Sequence, residues 1–189
     1  MKRIVKVLIL SALCAFCVGC EKKADPLQEV LGAYILRGQE GSFELYRIEK
    51  IDSTTFHTEF ERRQNVFDRK LEEETNLYES YIIQGKPKNA ARHLDATQRT
   101  HEVLKGLDSL RIVLEERMDE IAYYDYVFSG QSVIGDETTN YLSAYASITP
   151  AREVIALTAK QKDLHKSGGR AIPGYLEMLG KDSEEVEEE

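Results

Sequence analysis

The chain predicts an α+β fold in which an N-terminal helix and a long antiparallel helical hairpin pack on an antiparallel sheet of three to four strands. Two observations carry this. Two stretches of about thirty residues show helical periodicity and are parted only by Gly85-Lys86-Pro87, while the segments flanking that pair are rich in β-branched and aromatic residues. The order is helix, strand, hairpin, then a run of strands, which is the pattern of helices laid against one face of a sheet rather than of alternating βαβ units.

The first element is a helix opened by Asp25 as N-cap and Pro26 at the first helical position. Leu27, Val30, Leu31, Tyr34 and Ile35 follow i, i+3, i+4, i+7, i+8 spacing and form one apolar stripe, which Gly38 ends. The stripe lacks the Lys/Arg border of an interfacial helix, so packing on the core is expected. Phe43 to Ile51 reads as a strand between a Gly-Gln-Glu-Gly turn and Asp52-Ser53-Thr54, although its alternation is imperfect.

From about Thr54 a long helix begins. Phe56, Phe67 and Tyr78 recur every eleven residues, as do Phe60, Leu71 and Ile82, which predicts a nearly straight helix burying one narrow seam. Gly85-Lys86-Pro87 breaks it, because Gly suits a helix end and Pro cannot continue one. Asn89 is then the expected cap of a second helix through Leu94, Val103, Leu107, Leu110, Leu114 and Met118. The two should fold back as a hairpin about 45 Å long at 1.5 Å per residue. That length requires either a sheet packed along it or a part that projects into solvent.

Beyond Met118 the pattern changes to strands. Ile121 to Phe128 is one, and Asn140 to Ile148 is another, with Leu142, Ala144, Ala146 and Ile148 expected on the apolar face and Tyr141, Ser143, Tyr145 and Ser147 on the other. Thr149-Pro150-Ala151-Arg152 reads as a turn and Val154 to Thr158 as a further strand. A helix from Thr149-Pro150 to Gly168-Gly169 competes with this, and the β-branched pair Val154-Ile155 favours the strand. Ser167 to Gly174 is expected to be a loop and Tyr175 to Leu179 a short helix. The layout is similar to cystatin-like and NTF2-like folds by architecture alone, since no motif supports the comparison.

The N-terminus carries the most specific chemistry. Lys2, Arg3 and Lys6 precede an apolar run from Val7 to Val18, and small Gly19 stands before Cys20. The run is shorter than the ~20 residues a spanning helix needs. With Cys17, Val18, Gly19 and Cys20 in the positions of a lipobox, the first twenty residues resemble the signals of bacterial lipoproteins. The resemblance implies removal of residues 1–19, lipidation of Cys20, a diacylglyceryl group on its sulfur and an acyl chain on the new N-terminus. Anchoring by more than one chain is stable. Glu21 is not the Asp that marks inner-membrane retention, so the resemblance further implies an exported protein held at the outer membrane by a tether of residues 20–24.

A metal or cluster site on Cys14, Cys17 and Cys20 is the rival reading of this segment. It fails because the three lie in an apolar export segment without a fourth ligand nearby. With all three cysteines there, a body of residues 25–180 has none for disulfides and must depend on packing. Removing Lys2, Arg3 and Lys6 from 25 basic residues leaves 22 against 33 acidic ones, a formal −11. That surplus disfavours binding to nucleic acid and electrostatic adhesion to anionic lipid headgroups, and leaves anchoring to the lipid. Asp182, Glu184, Glu185, Glu187, Glu188 and Glu189 concentrate it in residues 181–189, which read as a solvated, disordered tail.

No catalytic, cofactor or metal site is expected in the body. His101-Glu102 opens an H-E-x-x-H frame, but Lys105 fills the second ligand position and has no lone pair to give. Gly130-x-Ser132 lacks the second glycine of a nucleophile elbow, where Ile134 stands. Gly169 to Gly174 has the glycine interval of a phosphate loop but not its lysine. Across the hairpin, His101 is expected near Glu72 or Glu73 and His57 near Glu115 or Glu116, with no three-ligand cluster. Tyr124, Tyr126, Tyr141 and Tyr145 could form an aromatic platform, but in a chain without Trp they are expected to fill the sheet–helix core. The reading that fits best is a lipid-tethered, non-catalytic binding or assembly module holding an envelope protein partner. A small-ligand carrier with a tyrosine-lined pocket follows, and an envelope enzyme last.

Overall fold

The structure is a computed structural model that describes residues 25–180, so the expected export signal, Cys20 and the acidic tail lie outside the described residues. It is α+β, with a four-stranded antiparallel meander in the order β1-β2-β3-β4. Helix α1 spans Pro26–Leu36. Its cap is Asp25, whose Oδ1 accepts from the Leu27 amide at 2.9 Å. Arg37 and Gly38 both turn left-handed and stop it, a conformation that glycine adopts at no steric cost.

Strand β1 runs Gly41–Thr55, longer than the predicted Phe43–Ile51. Register shifts against β2 fall between Leu45 and Arg47 and between Lys50 and Asp52, so Tyr46 and Ile51 are extra residues. These bulges are why its alternation looked imperfect, since each resets which face the next residue meets. Helix α2, Phe56–Ile83, follows without a loop, capped by Thr55 Oγ1, which accepts from the Thr58 amide at 3.3 Å.

Gly85 makes the hairpin joint with φ at +65°. Helix α3 is Pro87–Val113 and starts at Pro87, with Lys86 in the cap position. Asn89, expected as the cap, is inside the first turn, because proline has already supplied the helical φ and needs no amide partner there. The helix also stops short of Met118, and Glu115–Arg117 forms a separate 3₁₀ turn.

Strands β2 (Ile121–Ile134), β3 (Glu137–Ile148) and β4 (Val154–Thr158) complete the sheet. The β2–β3 hairpin reaches well past the predicted strand ends and closes at Gly135, whose φ of +58° suits a two-residue hairpin loop. On this hairpin the predicted face is wrong at one end. Phe128 pairs with Ala144 but Gly130 pairs with Tyr141, so β3 carries one residue more than β2 across that step. The bulge swings Tyr141 onto the core face against Phe43 and Phe128, with ring centroids 6.2 and 5.8 Å away, and leaves Leu142 88 % exposed.

After β4, Gln161–Ala171 is a 3₁₀ run that overlaps the predicted loop, and Tyr175–Met178 is the terminal helix α4. The core lies on both sides of the sheet rather than on one. Leu31 of α1 joins Phe43, Phe128, Ala144, Ala146 and Ile148. On the opposite face Phe56, Phe60 and Leu107 from the hairpin base pack with Tyr123, Ile155, Ile172 and Tyr175. Consecutive residues of β2 explain this, since Tyr123 and Asp125 point one way and Tyr124, Tyr126 and Phe128 the other, leaving no wholly polar face for water.

The hairpin projects. The outermost side chains of its two helices that join the core are Phe67 and Val103. Beyond Phe67, residues 68–83 continue for roughly 24 Å at 1.5 Å per residue. Ile82 and Leu94, assigned to the buried seams by periodicity, are exposed there.

Candidate functional site

Two features stand out: a buried ionic cluster at the hairpin base and the projecting arm itself. The cluster begins with Glu59, one turn into α2 and completely buried. Helical spacing puts Arg62 and Arg63 on the same side as Glu59. Arg62 Nη1 donates to Glu59 Oε2 at 2.5 Å and to the Tyr123 hydroxyl at 2.6 Å. Tyr123 Oη donates to Glu59 Oε2 at 2.8 Å. Arg63 Nε is 2.7 Å from Glu59 Oε1, an ion pair lying off the line of a hydrogen bond, which leaves both atoms buried without a hydrogen-bond partner.

Arg63 then ties the helix to the C-terminal segment by donating to the backbone carbonyls of His165 and Lys166. Gly168 makes that segment's approach possible: a Cβ there would fall 2.5 Å from Glu59 Oε1. On the same face of β2, two residues beyond Tyr123, buried Asp125 accepts from Ser147 Oγ at 2.5 Å. Burial pushes its carboxyl above the usual range, the hydrogen bond from Ser147 and the charges of His165 and Arg62 oppose this, and Asp52 adds to it. Tyr123 is raised well above an ordinary phenol, first by burial and then by Glu59.

The arrangement is a clamp. Glu59 is enclosed by two guanidinium groups and a phenol, and Gly168 closes over it, so the cluster joins α2, β2 and the 3₁₀ segment rather than facing a cleft. Sequence reasoning missed it. A signal was present, since Arg63 stands in the apolar seam between Phe60 and Phe67, where a charged residue requires a buried partner.

The predicted histidine contacts are different in the structure. His93, not His101, faces α2, and its Nδ1 lies 2.6 Å from Glu74 Oε2 while its ring stacks on Tyr81 at 5.2 Å. The joint is residues 84–86, between Ile83 and Pro87, and across it His93 meets both Glu74 and Tyr81. His101 is exposed beside Glu102 and Lys105, and His57 pairs with Glu61 of its own helix at 3.2 Å rather than with Glu115 or Glu116. Among the described residues no three His, Cys, Asp or Glu side chains are grouped to hold a metal.

The remaining motif fragments are structural too. Ser132 is buried within β2, 3.4 Å from the Tyr141 hydroxyl. Gly169 allows the Tyr175 ring to pack, as its Cβ would fall 2.5 Å from that ring. Of the four tyrosines weighed as a platform, Tyr124 and Tyr126 meet edge-to-face at 6.5 Å, and Tyr141 is in the aromatic group with Phe43 and Phe128. Tyr145 is half-buried and shares the opposite sheet face with Asp125, so no single platform forms. No described helix is long and apolar enough to cross a membrane. No known family, no curated protein and no solved structure matches this chain significantly, so the cystatin-like and NTF2-like comparison stays one of layout.

Proposed function

We propose that this protein is a lipid-anchored, non-catalytic binding or assembly module of the bacterial cell envelope, with the helical hairpin as its binding arm. One observation carries the reading: beyond Phe67 and Val103 the hairpin leaves the core, and its flank and end expose Ile82, Ile83 and Leu94. Holding a long hairpin away from its domain exposes apolar surface and costs stability, which is offset if a partner covers it. The buried clamp at the base supports the same reading, because it fixes where the arm leaves the sheet. The anchor on Cys20 and the outer-membrane address rest on the lipobox resemblance, and the partner on the arm is an envelope protein.

The test has two arms. Fatty-acid labelling of cells should mark the wild type and vanish in Cys20→Ala, which should also leave the membrane fraction. Crosslinking and pull-down should recover a partner with the full chain and lose it when residues 68–102 are replaced by a short turn. Labelling that persists in Cys20→Ala refutes the anchor, and a partner kept by the shortened chain refutes the arm.

A further inference from the structure

The tip of the hairpin differs from the rest of the chain in both charge and exposure. Every residue from Ile82 to Asn89 is exposed, Ile83 by 86 %. From Ser80 to Leu94 there is no Asp or Glu in a chain that has 33, while Lys86, Lys88 and Arg92 all fall in that window. Two carboxylates beside it are already paired, Asp95 with Arg99 and Glu74 with His93 of the window itself, each at 2.6 Å. Glu79 is exposed one turn below the tip on α2. Lys86 arches over the Tyr81 ring, 5.8 Å from its centroid, and donates to Gln84 Oε1 at 2.8 Å.

We propose that this tip docks on an anionic lipid surface, with Ile82 and Ile83 entering the headgroup–acyl boundary and Lys86 and Lys88 meeting lipid phosphates. The proposal rests on the hairpin being the binding arm, and not on the anchor at Cys20. A protein partner would need a pocket shaped for a convex apex, whereas a bilayer interface accepts adjacent apolar side chains bordered by lysines without one. Tyr81, with an apolar ring and a polar end, suits that depth. The acid surplus of the whole chain does not oppose this. Charges are screened beyond about 8 Å at physiological salt, and the domain core begins roughly 24 Å from the tip. What the lipid meets is the local charge, and that is positive.

The experiment places an environment-sensitive fluorescent residue at position 83 of the full chain, reconstituted from detergent into vesicles. Its emission should shift to the blue in phosphatidylcholine–phosphatidylglycerol vesicles, stay water-like in phosphatidylcholine alone, and lose the shift at high salt. Each basic residue near an anionic surface is worth roughly fivefold in partition, so Lys86→Glu with Lys88→Glu should weaken it by about 20-fold or more. All these positions are exposed, so the variants should keep the circular dichroism of the parent. A probe that stays water-like in both vesicles overturns the proposal. An equal shift with polyglutamate and no lipid overturns it as well, by assigning the tip to an acidic polypeptide. Neither result touches the flank at Leu94, so the arm can survive the loss of its lipid contact.

Discussion

Glu59→Ala tests the clamp. The side chain is fully buried and receives Arg62, Arg63 and Tyr123 within 2.5–2.8 Å. Truncation removes the acceptor and leaves donors behind. Arg62 is 28 % exposed and can turn toward water, but Arg63 is 9 % exposed and held by the carbonyls of His165 and Lys166. Its charge therefore stays buried without its partner. Removing one member of a buried pair costs about 3–5 kcal/mol, and for a domain of this size that lowers Tm by roughly 6–20 °C. Thermal and urea unfolding of the variant measure it. Glu59→Gln, which keeps an acceptor for Tyr123, should fall between the two. A loss below about 1 kcal/mol for Glu59→Ala would refute the clamp, because surface ion pairs have that value.

Three further outcomes follow from the same geometry. Asp125 has a raised carboxyl pKa, so the unfolded chain releases its proton at lower pH than the folded one, and its contribution to stability falls as pH rises above the usual carboxylate range. Asp125→Asn should remove that fall and flatten the pH–stability curve between acid and neutral pH, as read by urea unfolding at several pH values, and an unchanged curve would contradict the raised carboxyl. Tyr141→Ala should cost about 2–3 kcal/mol by breaking the aromatic group with Phe43 and Phe128, while Leu142→Ala should change stability by less than about 0.5 kcal/mol, and equal costs would contradict the bulge. Gly168→Ala should cost about 1–3 kcal/mol, because its Cβ must displace the Glu59 carboxylate, and a neutral result in thermal unfolding would contradict that close approach.

The elements that local chemistry dictates were legible. Asp25-Pro26 starts α1 and Gly85-Lys86-Pro87 breaks the hairpin, because both act through the φ angles and hydrogen bonds of their own residues. The order of helices and strands followed from them. What period alone does not carry is where a bulge falls. One extra residue on β3 exchanged Tyr141 for Leu142 on the core face, and two bulges on β1 blurred its alternation. Periodicity likewise marks a seam without saying how far it is covered, which is why Ile82 and Leu94 look like core and are exposed.

The clamp was hidden because Glu59, Arg62 and Arg63 look like an ordinary solvated helix face. Their burial depends on the C-terminal segment about a hundred residues later in the chain. The eleven-residue repeat nevertheless held a clue: Arg63 and Glu74 occupy a third lane beside the lanes of Phe56 and Phe60, and each has a cross-element partner. A polar residue recurring on the inner side of a helix marks a place where a partner must exist.

In the proposed function the projecting hairpin is the binding arm and the sheet its support. Site-specific photo-crosslinking in living cells, with a photoreactive residue at Glu73, Leu94, Tyr46 or Leu142 in turn, is the decisive measurement because all four positions are exposed. Protein adducts are expected from Glu73 and Leu94 on the hairpin and none from Tyr46 and Leu142 on the sheet. Adducts confined to Tyr46 and Leu142 would contradict it.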